Sequence, residues 1–286
     1  MSAALKRARA AAREARARVV FPESDDPRVA EAMERLAGAG LAHPIGVAPP
    51  SSAQLAALMA ARPVKEAIAR RMLARPLIRA AAMVAAGETD VLVAGAASAT
   101  RKVIEAASLA IGPAPGMATV SSFFLMVMAD GRELIFADCA LNVVPDAAAL
   151  ADIARASQAS ALALLGHSQV ALLSYATGRS GAGESVEKMR HVAEITGFAG
   201  PVQGDAALNV AIARAKGSAG GDANTLIFPN LDAGNIAYKL VQELAGARAY
   251  GPVLQGFGRP VCDLSRGASV DDIVNATVLS IALGAG

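Results

Sequence analysis

The stretch Val91-Leu-Val-Ala-Gly-Ala-Ala-Ser-Ala-Thr-Arg-Lys102 joins a short apolar run to the start of a helix through a turn of small residues. A run of four apolar residues bounded by a glycine is typical of a buried strand. A helix is predicted directly afterwards, at Arg101–Ile111. Strands that alternate with helices in this way are the repeating unit of α/β proteins with mainly parallel sheets. This stretch therefore predicts an α/β fold.

The same alternation continues on both sides of this unit. Further strands are predicted at Val19–Phe21, Pro44–Val47, Gln169–Ser174 and Thr225–Phe228. Further helices are predicted in the Ala/Arg-rich segment Met1–Arg18 and at Pro27–Ala39, Val64–Ala86, Asp146–Leu165, Glu184–Ile195, Ala233–Ala245 and Val270–Leu283. One antiparallel hairpin is expected, because Thr119–Met128 and Glu133–Ala137 flank an Asp-Gly pair, which is a strong turn signal.

Composition excludes several classes of function. The chain of 286 residues is 54% hydrophobic, mostly through alanine, but no apolar run is long enough to predict a membrane span. A net charge of +2 and an aromatic content of 3% argue against nucleic acid as a partner. Cys139 and Cys262 are far apart, which predicts neither a zinc site nor a disulfide framework and favours a reducing cytoplasm.

The segment Gly258-Arg-Pro-Val-Cys-Asp-Leu-Ser-Arg-Gly-Ala-Ser-Val-Asp-Asp-Ile-Val274 has the residue types of an anion site. It is predicted to be a loop that runs into a helix, with Ser269 as the N-cap and Asp272 three residues later. Arg266 adds a full positive charge to the partial charge of a helix N-terminus, a combination that suits phosphate. The alternative is a well-capped helix with a solvated arginine. Of the two carboxylates, Asp271 and Asp272, one can cap the helix while the other could remove a proton.

Two other loops follow predicted strands and have similar chemistry. Gly95–Lys102 contains two hydroxyl groups and two cations, and Tyr175–Glu184 contains three glycines and several hydroxyl groups. In open α/β sheets, ligands bind beyond the carboxyl ends of the strands. The alternative explanation for Gly95–Lys102 is that its small residues allow a turn to pack closely. The alternative explanation for Tyr175–Glu184 is a flexible surface loop. After the strand at Thr225, Asn230 or Asp232 is expected to cap the next helix.

Several segments of the chain resemble phosphate acetyltransferases (phosphotransacetylases), within the phosphate acetyl/butyryltransferase family. The strongest matches are Asn224-Thr-Leu-Ile-Phe-Pro-Asn-Leu-Asp-Ala-Gly-Asn-Ile-Ala-Tyr-Lys-Leu240, Tyr250-Gly-Pro-Val-Leu-Gln-Gly256 and Asp263-Leu-Ser-Arg-Gly267. Further matches are Val20-Phe-Pro-Glu-Ser24, Phe136-Ala-Asp-Cys-Ala140 and Leu172-Leu-Ser-Tyr-Ala-Thr-Gly178. The combination is specific to this family, whereas each segment alone would not be.

The resemblance implies two α/β domains with mainly parallel sheets and an active-site cleft between them, similar to isocitrate and isopropylmalate dehydrogenases. The helix breakers in Gly112-Pro-Ala-Pro-Gly116 suggest a boundary. The expected first domain is discontinuous, residues 1–115 plus 256–286, because the C-terminal helix is implied to return to it. Residues 116–255 form the expected second domain.

The resemblance also implies a reaction, the reversible transfer of an acetyl group between acetyl phosphate and coenzyme A. By motif position, Asp272 is the implied base for the thiol, Arg266 the partner of the acyl phosphate and Ser265 a hydrogen-bonding group near the reacting atoms. The expected substrate-binding residues are Tyr250, Ser174, Thr177, Gly178, Ser180, Asn235, Arg101, Thr100 and Arg62. No metal and no permanently bound cofactor are expected, coenzyme A being a substrate. The expected protein is a cytoplasmic homodimer.

The chain departs from the family pattern on the helix after Gly95. Many relatives have an Arg-Pro pair where this chain has Glu105-Ala106, so Arg101 or Lys102 is the hypothetical replacement for the missing cation. The resemblance leaves three alternative functions open: a phosphate butyryltransferase or broader acyltransferase, a non-catalytic module that senses acetyl-CoA, and a decarboxylating dehydrogenase of related architecture. The last would need an aspartate cluster for a metal, which the sequence does not supply.

Overall fold

The protein is described by a computed structural model that covers residues 1–218 and 220–284. The strands are β1 (Arg18–Val20), β2 (His43–Ile45), β3 (Val91–Ala94), β4 (Ser121–Val127), β5 (Glu133–Ala137), β6 (Val170–Leu173), β7 (Ala199–Val202), β8 (Thr225–Ile227), β9 (Arg248–Gln255) and β10 (Val261–Asp263). The helices are α1 (Ala3–Ala15), α2 (Pro27–Gly38), α3 (Ser52–Ala61), α4 (Glu66–Leu73), α5 (Pro76–Ala85), α6 (Thr100–Ala110), α7 (Ala147–Leu165), α8 (Glu184–Thr196), α9 (Gly204–Leu208), α10 (Val210–Ala215), α11 (Leu231–Ala245) and α12 (Val270–Gly284). The predicted α/β fold is confirmed.

The chain forms two compact units. The first consists of Ala3–Gly116 together with the chain from Gly251 onward, and the second of Met117–Tyr250. The domain boundaries expected from the sequence, after residues 115 and 255, stay a prediction. Among the described residues, no helix combines the length and the apolar character that crossing a bilayer requires.

The first unit contains the strand order β2-β1-β3-β10, followed by the part of β9 from Gly251 to Gln255. The first four strands run parallel, with Val19 beside Val91 and Asp263 beside Ala94, and β9 runs antiparallel to β10. Helices α1, α2 and α12 pack together, as do α3, α5 and α6. Because β1, β3 and β10 are parallel neighbours, the loops that follow them emerge at one edge of the sheet.

The second unit contains the order β4-β5-β8-β6-β7. The predicted hairpin is confirmed, because β4 and β5 pair antiparallel with Val127 opposite Glu133, whereas the remaining pairs are parallel. Several of the few aromatic residues lie in its core. Phe124 stacks on Tyr238 with 4.1 Å between ring centroids, and Phe136 meets Phe228 at 5.3 Å.

Two predictions about local structure are wrong. The helix expected at Val64–Ala86 is two helices, α4 and α5, because Pro76 cannot continue a helix and instead begins α5. The segment before Ser269 is not entirely a loop, since it contains β10, a buried strand between β3 and β9. Sequence reasoning also missed α3, α9, α10, β7 and β9.

Candidate active site

The loops after β1, β3 and β10 meet at the carboxyl edge of the first unit's sheet. The backbone N–H of Gly95 donates to Oε2 of Glu23 at 2.8 Å, which joins the loop after β1 to the loop after β3. The backbone N–H of Leu264 donates to the carbonyl of Ala94 at 2.7 Å, which joins the start of the loop after β10 to the end of β3. Three loops that are distant in sequence therefore form one local structure.

Gly95 permits this close approach. Its φ is +111°, and a Cβ there would lie 2.6 Å from both the backbone N and the backbone O of Leu264 and 2.7 Å from Oδ1 of Asp263. These contacts are shorter than any side chain tolerates, and the backbone conformation itself is one that favours glycine. The loop after β3 therefore needs glycine at this position for two independent reasons.

We expect Gly95→Ala to lower the free energy of unfolding by about 2–4 kcal/mol, because it adds both backbone strain and overpacking. Thermal unfolding monitored by circular dichroism measures the change. Gly267→Ala is the matched control, since a Cβ there would meet only Oγ of Ser265 at 3.9 Å. Equal Tm values for the two variants would contradict the close approach at Gly95.

Arg28, at the start of α2, holds two of the loops. Its guanidinium donates to the carbonyls of Arg266 and Ala268 at 2.9 and 3.0 Å and to the carbonyl of Ala96 at 3.1 Å. It also pairs with Asp26, the N-cap of α2, at 2.8 Å, and this pairing raises the pKa of Arg28. Sequence reasoning assigned no role to Arg28, because one arginine on an amphipathic helix carries no signal of long-range contacts.

Helix α12 begins with the predicted capping box. The Ser269 hydroxyl accepts from the backbone N–H of Asp272 at 3.2 Å, and Oδ2 of Asp272 accepts from the backbone N–H and the hydroxyl of Ser269 at 3.0 and 2.7 Å. Asp271 does not cap the helix, because it pairs with Arg35 at 2.9 Å. The alternative assignment of the cap to Asp271 is therefore wrong, and the implied base, Asp272, is itself the capping carboxylate.

Ser265 and Arg266 are exposed in the turn before this helix. The Ser265 carbonyl accepts from the N–H of Ala268 at 2.9 Å, and its hydroxyl accepts from the N–H of Gly267 at 3.3 Å, so the turn is locally ordered. Within the described part of the chain, the Arg266 guanidinium takes part in no salt bridge. An unpaired guanidinium beside a capped helix N-terminus is an arrangement that can bind an anion.

Two carboxyl groups lie beneath these loops. Asp263 is 1% exposed. Neither of its buried carboxylate oxygens, nor the buried Oε1 of Glu23, makes a hydrogen bond of good geometry to a described residue, although the Thr100 hydroxyl lies beside Asp263. Burial raises the pKa of Asp263 to about 6, the charge of Glu23 adds to this shift and the Thr100 hydroxyl opposes it. Sequence reasoning included both residues in matched segments but gave neither a role.

The residues expected to bind coenzyme A in this unit lie at helix ends. Thr100 and Arg101 are exposed in the first turn of α6, and Arg62 is the exposed residue that ends α3. Glu105, which occupies the place of the family arginine, pairs with Arg75 at 3.2 Å. Arg75 is therefore a second cation, besides Arg101, that lies close to the position of the family arginine.

In the second unit, the expected residues of the glycine-rich loop follow β6, and their hydroxyl groups shape the loop. The Thr177 hydroxyl accepts from the backbone N–H of Gln203 at 3.1 Å, and the Ser180 hydroxyl accepts from the N–H of Thr177 at 2.9 Å. The hydroxyl of Ser174 accepts from the N–H of Ala176 at 3.3 Å, and the N–H of Gly178 donates to the carbonyl of Pro201 at 2.9 Å.

The other two expected residues of this unit lie elsewhere in it. Asn235 lies in α11 and donates to the carbonyl of Cys139 at 3.0 Å. Tyr250 lies half-buried in β9. The sequence offered Asn230 and Asp232 as caps of α11. The cap is Asn230, whose side chain accepts from the N–H of Ala233 at 2.9 Å.

Comparison with known proteins decides the family. The sequence model of the family described as "Phosphate acetyl/butaryl transferase" matches residues 50–281. The chain belongs to this family. All the expected site residues from Arg62 to Asp272 lie within the matched range, whereas Glu23 and Arg28 precede it.

Individual members of the family show how far the similarity extends. The chain is 39% identical to a phosphate acetyltransferase of Paracoccus denitrificans, with 92% of this chain and 93% of the relative covered. It is 37% identical to a phosphate acetyltransferase of Deinococcus radiodurans, with 94% of this chain covered but only 44% of the relative. The crystal structure of a phosphotransacetylase from Streptococcus pyogenes superposes with a TM-score of 0.92 at 30% identity, covering 99% of both chains. The chain therefore spans less than half of some curated relatives and nearly all of others.

Both cysteines of this family member are buried. Burial raises the pKa of the Cys262 thiol to about 12, and burial also raises the pKa of Cys139. A thiol reacts as its thiolate, so neither cysteine is suited to act as a nucleophile. Over residues 1–218 and 220–284, no group of three or more His, Cys, Asp or Glu side chains is placed to hold a metal ion.

Proposed function

We propose that the protein is a phosphate acetyltransferase, which transfers an acetyl group reversibly between acetyl phosphate and coenzyme A. The observation that carries the proposal is the turn before α12, where Ser265 and Arg266 are exposed beside a capped helix N-terminus and Arg266 makes no salt bridge to any described residue. Membership of the phosphate acetyl/butaryl transferase family supports an acyl phosphate as the anion. Thioester formation from coenzyme A and acetyl phosphate tests the proposal.

The proposed chemistry is direct attack of the coenzyme A thiol on the acetyl carbon. The thiol has an ordinary pKa near about 8.5, so a carboxylate that takes its proton speeds the attack. Asp272 is the proposed base, and its Oδ1 is the oxygen that takes no part in the hydrogen bonds with Ser269. The S–H bond breaks, the C–S bond forms, and the C–O bond to phosphate then breaks. The proton taken from the thiol ends on the released phosphate, and no acyl-enzyme is formed.

Two groups are proposed to stabilise the charge that develops in this reaction. The Arg266 guanidinium binds the phosphoryl oxygens, because a planar fork of N–H donors matches their geometry. The Ser265 hydroxyl donates to the carbonyl oxygen as it gains negative charge. Its present role, accepting from the N–H of Gly267, leaves its own proton available for this hydrogen bond.

The remaining substrate contacts are proposals of the same kind. Thr100, Arg101, Arg62 and Arg75 are proposed to contact coenzyme A from the first unit. The proposed contacts from the second unit are Tyr250, Ser174, Thr177, Gly178, Ser180 and Asn235. Thr177 and Asn235 already make structural hydrogen bonds, so we propose that they shape their surroundings and contact substrate through backbone groups. The cleft between two domains that the resemblance implies stays a prediction.

The family description leaves the acyl chain open between acetyl and a longer group. The curated relatives support acetyl, since both are named phosphate acetyltransferases. A sensing module without catalysis is the second candidate, and the presence of Ser265, Arg266 and Asp272 argues against it. We further propose that the protein acts in the cytoplasm without a metal or a permanently bound cofactor.

We also propose that the protein is a homodimer, and one helix face supports this. Ile236, Leu240 and Leu244 recur every fourth residue along α11, so they lie on one face, and they are 56%, 52% and 81% exposed. A contiguous apolar face of this kind marks a protein interface.

We expect Leu240→Glu to convert the dimer into a monomer in sedimentation velocity experiments, because a buried unpaired charge opposes association. The matched control is Gln242→Glu, which places the same charge on the same helix at an exposed polar position. A wild-type monomer at micromolar concentration, or an unchanged dimer of Leu240→Glu, would count against this interface.

A further inference from the structure

Arg28 is a partly buried residue that the proposed reaction does not use, and its guanidinium is fixed on all sides. It makes five hydrogen bonds, as many as it has N–H donors. Nε and Nη2 donate to the two carboxylate oxygens of Asp26 at 3.1 and 2.8 Å, and Nη2 also donates to the carbonyl of Ala96 at 3.1 Å. A planar guanidinium bound in this way cannot turn, so the direction of the remaining nitrogen, Nη1, is set by the first turn of α2.

Nη1 donates to two carbonyls of the turn before α12, those of Arg266 and Ala268, at 2.9 and 3.0 Å. The carbonyl of Arg266 shares a peptide group with the N–H of Gly267, which donates to Oγ of Ser265 at 3.3 Å. The carbonyl of Ala268 shares a peptide group with the N–H of Ser269, which donates to Oδ2 of Asp272 at 3.0 Å.

A trans peptide group is planar, and its C=O and N–H point in opposite directions. Each of the two peptide groups therefore lies between Nη1 of Arg28 and one of the side chains that are proposed to act on the substrate. A donor on the carbonyl polarises the peptide group and strengthens the hydrogen bond that its N–H makes, by about 10–30% in such chains. One guanidinium thus acts on both Ser265 and Asp272 without touching either.

The exposure of these two side chains makes the hydrogen bonds important. Ser265 and Asp272 are both exposed, so close packing does not fix their orientation. The N–H of Gly267 occupies an acceptor site of the Ser265 hydroxyl and leaves its proton to be donated elsewhere. The N–H of Ser269 occupies Oδ2 of Asp272, so that Oδ1 is the oxygen left for a substrate.

We propose that Arg28 is a positioning residue for acetyl transfer, which holds the Ser265 hydroxyl and the Asp272 carboxylate in their working orientations through the peptide groups 266–267 and 268–269. This inference rests on the proposed function, which gives those two side chains their roles. Arg28 itself contacts no reacting atom, and no bond to it is made or broken.

The test is steady-state kinetics of thioester formation by the full chain and by Arg28→Ala, well below the Tm of both. Misplaced catalytic groups lower kcat, so we expect a fall of about 10- to 100-fold. The KM for coenzyme A should change by less than about threefold, because its proposed contacts lie on other elements. If Arg28 served stability alone, the variant would unfold at a lower temperature but would keep the kcat of the wild type.

Arg35→Ala is the matched control. Arg35 lies on the same helix and also joins α2 to α12, through a salt bridge of 2.9 Å with Asp271, but it makes no hydrogen bond to the turn. Its replacement removes an exposed ion pair and should leave kcat within about twofold of the wild type.

A double-mutant cycle tests whether Arg28 acts through Ser265. If it does, part of the loss is already present in Ser265→Ala, so Arg28→Ala should lower kcat at least about threefold less in that background than in the wild type. Equal losses in the two backgrounds would mean that the two residues act independently, which overturns the inference.

The remaining outcomes separate this inference from the function on which it rests. A wild-type kcat in Arg28→Ala overturns the inference and leaves acetyl transfer intact, because the wild type still forms thioester. No thioester formation by the wild type contradicts the proposed function, and the role of Arg28 falls with it. If Arg28→Ala does not fold, Arg28→Lys decides the question: it keeps the charge but not the five-donor fork, so its kcat should fall by about three- to tenfold, and a wild-type kcat would overturn the inference.

Discussion

Arg266→Ala is expected to lower kcat/KM for acetyl phosphate by about 30- to 1,000-fold, a loss of about 2–4 kcal/mol of transition-state stabilisation. The Arg266 guanidinium is exposed and, over the described residues, has no salt bridge, so its full charge is available to a substrate. Phosphate gains negative charge as it leaves, and therefore the interaction strengthens toward the transition state. Steady-state kinetics with coenzyme A at saturation measure the loss.

The backbone that positions Arg266 does not depend on its side chain. Its carbonyl accepts from Arg28, so the turn should remain in place when the guanidinium is removed. Arg259→Ala is the matched control, since Arg259 is an exposed arginine of the same stretch outside the proposed site. Cys262→Ala should change turnover little, because the thiol is buried and protonated. If Cys262→Ala abolished turnover while Arg266→Ala remained active, the assigned roles would be wrong.

Asp263→Asn is expected to stabilise the protein above about pH 6, by roughly 3 kcal/mol if the shift of the Asp263 pKa from 3.8 to about 6 is fully realised. The folded-state pKa is raised, so the folded protein holds the proton more tightly than the unfolded chain. The contribution of the Asp263 carboxyl group to the free energy of unfolding is therefore fully present below about pH 4 and is lost as pH rises to about 6. Asparagine cannot ionise, so the variant keeps this stability at higher pH.

Thermal unfolding of the wild type and the variant across this pH range measures the difference. The two Tm values should be similar near pH 4 and should diverge toward pH 7, with the variant higher. Asp271→Asn should show no such divergence, because its carboxylate is 81% exposed. A lower Tm for Asp263→Asn at pH 7 would mean that the ionised carboxylate has a stabilising partner. If Asp263→Asn were more stable but less active than the wild type, the Asp263 carboxyl group would serve activity at a cost in stability.

Much of the fold follows from local sequence signals. The run Val91–Ala94 before Gly95 is a strand because it is apolar and short, and the hairpin between β4 and β5 follows from its Asp-Gly turn. The capping box at Ser269 is likewise local, because both of its partners lie within one helical turn. In contrast, β10 was missed: three residues that end in aspartate have no apolar periodicity, and their pairing with β3 and β9 is a tertiary effect.

The candidate site is predictable only in part, for the same reason. Ser265, Arg266 and Asp272 are predicted from the sequence because they lie in one short stretch that matches a family motif, and their roles stay a proposal. The contacts of Arg28 with Arg266 and Ala268 join residues far apart in sequence, as does the proximity of Glu23 and Asp263 at Gly95. No pattern in one sequence reports such contacts. They become visible only when the parallel strands bring their carboxyl ends together.

We propose that this chain transfers an acetyl group between phosphate and the thiol of coenzyme A. The most direct test is to mix the purified full chain with coenzyme A and acetyl phosphate and to follow the ultraviolet absorbance of the thioester, with butyryl phosphate in a parallel reaction. We expect rapid thioester formation, faster with acetyl phosphate than with butyryl phosphate. Acetyl-CoA binding without turnover of either acyl phosphate would contradict it and would favour a sensing module.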